Sequence, residues 1–264
     1  MRRLLLDHLT AAEATPAELI EIAALGGCDG VGLLAAPLQA YPETAGCDLA
    51  HDAAALRATC VARDATGVGV DWVYPFFLSP QRTAQVLAPL LDIAATLGAH
   101  GAGVIIYDAE PARRADKLAQ LGAMARARGL KLSLEFLPAS RVCDVDAALD
   151  VLARVGDPEI GLTIDILHLL RSGGALHDLA RVPPQMIALA QICDGPLAPP
   201  VDIFAESKDG RLYPGEGAFP LADFIKRMPA DVTVGVEAPA TRARGDARTR
   251  ALAAIAAAKT VLAF

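Results

Sequence analysis

The 264-residue sequence is poor in aromatic residues, in cysteine and in positive charge. Aromatic side chains make up only 5% of it, while 53% is hydrophobic, so the core must consist mostly of Ala, Leu, Val and Ile. That composition is typical of parallel strands covered by Ala-rich helices. The five cysteines are scattered and form no C-x-x-C pair, which argues against a zinc knuckle or a disulfide framework. A reducing cytoplasm is the expected location.

The net charge of −7 disfavours broad attraction to nucleic acid or to an anionic membrane. An anionic substrate would therefore have to be captured by a local cluster of Arg or Lys. The N-terminal MRRLLLDHLT has an apolar segment of only three leucines, too short for a signal peptide, and we interpret it as the first strand. The Ala-rich C-terminus is short and contains Lys259, so it predicts a packed helix and not a membrane span.

Eight short apolar runs alternate with helical patterns along the chain. The runs cover residues 4–9, 30–35, 67–77, 101–108, 130–136, 160–167, 186–193 and 232–238. Eight such units predict a single (β/α)8 TIM barrel over residues 1–264. A doubly wound dinucleotide fold is disfavoured, because neither GVGVDW nor GAGVII supplies the third glycine of G-x-G-x-x-G.

Four consecutive predicted strands each end in an oxygen-bearing side chain: Glu135, Asp165, Gln191 and Glu237. In a TIM barrel these positions share one rim. Each residue alone could be a helix cap or an ion-pair partner. Together, three carboxylates and an amide oxygen would repel one another unless a cation neutralised them. This hard oxygen set predicts one divalent metal, Mg²⁺ or Mn²⁺, with Co²⁺ usable and zinc less favoured.

The motifs LEFLP, DILH, QICDGP, RLYPGEG and VEAP, in this order, resemble the sugar phosphate isomerase/epimerase superfamily of xylose-isomerase-like TIM barrels. The resemblance implies that Glu135, Asp165, Gln191 and Glu237 bind one divalent metal. The third position is commonly His in the sugar epimerases, whereas Gln at this position looks like the 3-dehydroshikimate dehydratase branch. DNA repair, as in the endonuclease members with several His residues around zinc, is disfavoured because this chain has only five His residues, none of them at position 191, and is acidic overall.

Chemistry beside a carbonyl group requires removal of a weakly acidic proton from carbon. A metal that chelates the substrate would stabilise the enediolate, and Glu135 and Glu237 are the candidate base and acid. His168, three residues after Asp165, could contact a substrate oxygen or protonate a leaving hydroxide. The alternative interpretation of His168 is a packed side chain bonded to backbone.

Candidate substrate contacts lie on the loops that follow the strands. The connection 194–219 is either a lid or a simple surface excursion, and it contributes Lys208 and Arg211. Arg211 is the favoured anion-binding residue. Further candidates are Arg242 and Arg244 for anions, Trp72, Tyr74 and Tyr107 as aromatic walls, and His8 and Glu216.

These observations predict a metal-dependent isomerase or epimerase of a small polyhydroxylated carbonyl compound, a sugar or sugar phosphate. A lyase of the 3-dehydroshikimate or inosose dehydratase type is the alternative, and a non-catalytic metabolite-binding barrel is the second alternative. The expected partner is a small-molecule substrate, without nucleic acid or membrane. Assembly into a homo-oligomer is compatible with the sequence.

Overall fold

The computed structural model describes residues 2–263. Eight parallel strands follow one another around a closed barrel in chain order, which confirms the predicted (β/α)8 architecture. The strands are β1 Leu4–Asp7, β2 Gly30–Leu34, β3 Gly69–Leu78, β4 Gly101–Ile106, β5 Lys131–Glu135, β6 Ile160–Asp165, β7 Ile187–Ile192 and β8 Thr233–Val236. All the strands start on one face of the barrel, so their carboxyl ends form the opposite rim.

Helices surround the barrel in the described part of the chain. They are α1 Pro16–Gly26, α2 Ala53–Thr66, α3 Ala88–Thr96, α4 Pro111–Arg126, α5 Val145–Val155, α6 Ile166–Arg171, α7 Ile203–Asp209, α8 Leu221–Arg227 and α9 Ala247–Leu262. Short 3-10 turns occupy His8–Ala11, Pro42–Cys47, Gln85–Leu87, Leu176–Arg181, Pro184–Met186 and Arg242–Arg244. Among residues 2–263, none of the helices combines the length and the apolar character that crossing a membrane requires.

The boundaries of α1 follow from local chemistry. The Thr15 hydroxyl accepts a hydrogen bond from the Glu18 amide, and the Glu18 carboxylate accepts one from the Thr15 amide at 2.8 Å. This capping box satisfies amides that the first helical turn leaves free. Gly27 ends the helix with φ +65°, a conformation that glycine adopts without a steric penalty.

The barrel interior contains a small apolar layer at its lower end, the end at which the strands begin. Leu5, Trp72 and Leu189 contact one another although they come from β1, β3 and β7, which are not neighbouring strands. Such side chains can only meet inside the barrel. The main core lies outside, between the strands and the helices. On β5 and β6 the buried Ser133 and Thr163 hydroxyls are 2.6 Å apart.

The long connection between β7 and β8 is an ordered loop. The Asp194 carboxylate accepts hydrogen bonds from the amides of Gly215 and Phe219, each at 2.9 Å, and so holds this segment against the start of the loop. The buried Arg171 of α6 pairs with Glu206 of α7 at 2.6 Å. Because these contacts hold the loop on the rim, its residues become part of the wall around the barrel mouth.

Candidate metal centre

The four strand-end side chains singled out from the sequence lie at the same rim. Asp165 of β6 is the register partner of Gln191 of β7, and the Glu237 amide donates a hydrogen bond to the β7 residue Ile192. Glu135 ends β5, the next strand on the other side. All four side chains are buried, between 1% and 9% exposed. The barrel register therefore brings together groups that are 102 residues apart, from 135 to 237.

The two oxygens of Asp165 have different roles. Oδ1 accepts a hydrogen bond from the Leu167 amide at 2.7 Å and so caps α6. Oδ2 faces the site, 2.7 Å from Nη1 of Arg211 and 3.8 Å from Nε2 of His168. The capping interpretation and the ligand interpretation of this residue are thus compatible, because each uses its own oxygen.

His168 lies beside the carboxylates. Its Nε2 is 3.6 Å from Oε1 of Glu135, and ligand atoms of Glu135, Asp165 and His168 all lie within 4.8 Å of one another. Burial lowers the pKa of His168 to about 4, so the imidazole is neutral at pH 7. A neutral imidazole can donate with one ring nitrogen and accept with the other.

Arg211 is inserted among the same carboxylates. Its guanidinium contacts Oδ2 of Asp165 at 2.7 Å and Oε2 of Glu237 at 3.1 Å, and Nη1 donates to the Glu237 carbonyl at 2.9 Å. The residue is only 2% exposed, although it borders the pocket. The charge of this predicted substrate contact is therefore already matched by two carboxylates.

Burial sets the protonation of the remaining acids. It raises the pKa of Glu135 well above its usual range, helped by the nearby charges of Glu237 and Asp165. It also raises the pKa of Glu237 to about 7, against the opposing effect of Arg211. For Asp165 burial acts in the same direction, but Arg211, His168 and the Leu167 amide outweigh it and the pKa is lowered. One guanidinium thus faces more carboxylates than it can neutralise.

These residues fit a hard divalent cation. Oε1 of Gln191 is buried and has no hydrogen-bond partner in the described part of the chain, so its lone pairs are available to a metal ion. The excess carboxylate charge around it would be balanced by a divalent ion. The ligand set predicted from the sequence, Glu135, Asp165, Gln191 and Glu237, would hold the ion. His168 takes the place of Glu237 in the group of ligand atoms that lie within 4.8 Å of one another.

A pocket of about 600 Å³ opens above this centre. Its walls are largely apolar and include Leu9, Leu38, Pro75, Phe77, Ile105, Leu137 and Phe204. Polar groups reach it from Tyr41, Arg82, Tyr107, Glu135, His168, Ser207, Arg211 and Glu237. Tyr107, a predicted wall residue, lies here with its ring edge against Phe77 at 5.7 Å between centroids.

The prediction that Trp72 walls the pocket is wrong. Strand β3 is ten residues long and ends at Leu78, so Trp72 lies near its start and packs inside the lower barrel, 1% exposed. Tyr74, two residues on, is partly buried and packs against the same layer. It borders a cavity of about 60 Å³ that Glu135 and Glu237 also line.

Three other candidates have contacts of their own. Lys208 does not line the pocket, and its ammonium lies over the Tyr41 ring at 5.6 Å. His8 is buried, with Nδ1 bonded to the Leu34 amide and Nε2 to the Ala14 carbonyl, as a structural histidine would be. Glu216 pairs with Arg244 at 2.8 Å on the loop surface.

Two residues near the site were missed by the sequence reasoning. Asp7 ends β1 in the same way as Asp165 ends β6, an apolar run followed by a carboxylate, so the pattern itself could have identified it. Arg82 lies on the loop after β3 and lines the pocket. No motif marks Arg82, because only the folded loop places it there.

Comparison with known proteins identifies relatives of this chain. The chain is 35% identical to the 3-dehydroshikimate dehydratase of Pseudomonas aeruginosa over 117 residues, 44% of this chain. The match covers only 18% of that longer protein. The zinc-bound structure of the IolI protein superimposes with a TM-score of 0.78 at 19% identity and covers 98% of this chain and 96% of that one.

D-psicose 3-epimerase from Clostridium cellulolyticum H10 superimposes with a TM-score of 0.74 at 14% identity, covering 98% of this chain and 99% of that one. Both structural likenesses show the shared fold. The model of the family described as xylose isomerase-like TIM barrel matches residues 20–260, almost the whole chain. The chain therefore belongs to the xylose isomerase-like TIM barrel family.

Proposed function

We propose that the protein is a divalent-metal-dependent dehydratase that removes water from a small cyclic hydroxy ketone bearing a carboxylate, of the 3-dehydroshikimate class. The observation that carries this proposal is the lining of the pocket. Apolar walls suit the faces of a ring better than a polyhydroxylated chain, whose hydroxyls would lose hydrogen bonds there. The similarity to a 3-dehydroshikimate dehydratase supports the same substrate class.

Within residues 2–263, one of the arginines that line the pocket is free to bind the carboxylate. Of the three arginines that line it, Arg171 pairs with Glu206, and Arg211 pairs with Asp165 and Glu237. Arg82 forms no side-chain ion pair within residues 2–263, and it is exposed at the mouth. Its planar fork is suited to bidentate recognition of a carboxylate.

The reaction needs an acid–base pair and an electron-withdrawing centre next to the ketone. A bound divalent metal would act as the Lewis acid that polarises the ketone. Glu135 and His168, 3.6 Å apart, form the pair that moves the proton. The proton leaves the carbon beside the ketone, the carbon–oxygen bond of the neighbouring hydroxyl breaks, and proton and hydroxide depart together as water.

The direct test is incubation of Mn²⁺-loaded protein with 3-dehydroshikimate. The expected result is a new ultraviolet absorbance from the conjugated product, abolished by Glu135→Gln. An Asp71→Asn variant, altered at the opposite end of the barrel, is the matched control and should retain activity. Absence of the absorbance with metal-loaded wild type would refute the dehydratase.

A metal-dependent isomerase or epimerase of a polyhydroxylated carbonyl compound is the second candidate. Glu135 and Glu237 come from different strands and border the same small cavity, so either could exchange a proton with one carbon. D-psicose 3-epimerase shares the fold. This function predicts that deuterium from solvent enters a ketose without loss of water, measured by NMR. A non-catalytic barrel would show neither exchange nor dehydration.

A further inference from the structure

Asp7 carries a buried carboxyl group at the carboxyl end of β1, the rim at which the candidate metal centre lies. The residue ends β1, is 1% exposed, and neither of its carboxyl oxygens has a hydrogen-bond partner that meets normal geometry in the described part of the chain. A buried polar group without a partner costs free energy unless it serves a function. The mechanism proposed above does not use it.

Two glycines make room for this carboxyl. A Cβ atom added at Gly32 would lie 1.9 Å from Oδ1 of Asp7, and one added at Gly235 would lie 2.0 Å from Oδ2. Gly32 is the register partner of Asp7 on β2, and Gly235 is on β8, the strand on its other side. The strands flanking β1 therefore lack side chains where the carboxyl lies.

Gln191 is the neighbour of Asp7 on one side. It is the register partner of Gly235, and the same added Cβ atom that would meet Asp7 would lie 3.5 Å from Cγ of Gln191. Burial raises the pKa of Asp7, with the Glu237 charge acting in the same direction, while an interaction with the Gln191 side chain opposes the increase. The side chains of Asp7 and Gln191 thus both lie beside Gly235.

The geometry of an amide metal ligand indicates a role for Asp7. A metal binds the amide oxygen, so the amide nitrogen must point away from the metal and needs an acceptor. We propose that Asp7 is a positioning residue of the metal centre: its carboxyl accepts a hydrogen bond from Nε2 of Gln191 and thereby directs Oε1 towards the metal. The inference rests on the metal site of the proposed function and is independent of which reaction follows.

Mn²⁺ affinity, measured by electron paramagnetic resonance of free Mn²⁺, tests the role of Asp7. Partners that orient metal ligands typically contribute about 10- to 100-fold in affinity, so Asp7→Ala should weaken binding by roughly that factor. Asp7→Asn keeps an acceptor oxygen and should recover most of the loss. Asp71→Asn removes a carboxylate at the other end of the barrel and should stay within about two-fold of wild type, since it lies far from the ligands.

A double-mutant cycle shows whether Asp7 acts through Gln191. In a Gln191→Ala background, Asp7→Ala should change Mn²⁺ affinity by less than about two-fold, because the amide that Asp7 orients is gone. Gly235→Ala keeps Asp7 and Gln191 unmutated, but its added Cβ atom would displace the Asp7 carboxyl, so it should reproduce the loss of Mn²⁺ affinity. Circular dichroism of each metal-free variant checks that the barrel is folded.

Three results would overturn the inference when wild type binds Mn²⁺. These are an unchanged affinity in folded Asp7→Ala, an equal loss in Asp7→Asn, and an undiminished effect of Asp7→Ala in the Gln191→Ala background. Failure of wild type itself to bind Mn²⁺ would refute the metal site and the inference together. Mn²⁺ binding without dehydration of 3-dehydroshikimate would refute only the proposed reaction.

Discussion

Replacement of Arg211 by Met should destabilise the metal-free protein and make it depend on the metal. Arg211 is the buried cation that contacts both Asp165 and Glu237. Met has a similar length but no charge, so the variant leaves these carboxylates together without a counter-charge. Bound Mn²⁺ would supply positive charge to the same two carboxylates.

The expected magnitude follows from the burial of the ion pairs. The side chains of Arg211 and Asp165 are 2% and 0% exposed, and that of Glu237 is 12% exposed. Removal of one partner of a buried pair typically costs about 3 to 5 kcal/mol, because the other charge is left uncompensated. Each kcal/mol lowers the melting temperature of a domain of this size by about 2 to 4 °C.

Thermal and urea unfolding at pH 7.5, with and without Mn²⁺, measure this effect. Arg211→Met should gain more stability from Mn²⁺ than wild type does, since the ion offsets the missing guanidinium. Arg171→Met is the matched control, because it breaks the equally buried pair with Glu206 away from the metal carboxylates. It should lose comparable stability and gain from Mn²⁺ only as much as wild type.

The reasoning would be refuted by either of two results. One is a free energy of unfolding of metal-free Arg211→Met within about 1 kcal/mol of the wild-type value, which would mean that the carboxylates do not need the guanidinium. Alternatively, Mn²⁺ could stabilise wild type and Arg211→Met equally. In that case the metal does not replace the charge of Arg211.

Three further predictions concern protonation, substrate capture and the barrel interior. The pKa of Glu237 is raised to about 7 from a usual 4.5, so the metal-free wild type should lose stability relative to Glu237→Gln as pH rises from about 4.5 to 7. Urea unfolding measures this change, and a difference between the two proteins that stays constant with pH would contradict it. Arg82→Gln should raise KM for an acidic substrate about 10- to 100-fold, as expected for loss of a charged hydrogen bond, and an unchanged KM in steady-state kinetics would exclude the contact. Ser133→Ala should cost about 1 to 3 kcal/mol by leaving the Thr163 hydroxyl unpaired, whereas Ser133→Ala with Thr163→Val should be closer to wild type in melting temperature.

Much of the barrel was predictable because its signals are local. An apolar run followed by an oxygen-bearing residue describes one strand and its end, so Glu135, Asp165 and Gln191 could be assigned to the ends of consecutive strands. The rule that parallel barrel strands share a rim then brought them together. The same pattern is present at Asp7, where an apolar run also ends in a carboxylate.

The rim position predicted for Trp72 conflicts with the length of the predicted strand itself. The run 67–77 ends one residue before β3 does, at Leu78, and Trp72 lies six residues before that end. An extra few residues of strand move a side chain from the rim to the barrel floor. The aromatic residue predicted for the pocket thus became part of the lower core.

The sequence by itself determined the eightfold alternation, the family and the identity of the strand-end oxygens, since each depends on residues close together in the chain. Only the tertiary structure decided what neutralises those oxygens. Arg211 lies 46 residues from Asp165, on a loop whose path depends on the Asp194 hydrogen bonds and the Arg171–Glu206 pair. Contacts between residues so far apart form only when the barrel closes, because closure alone brings the loop over the rim.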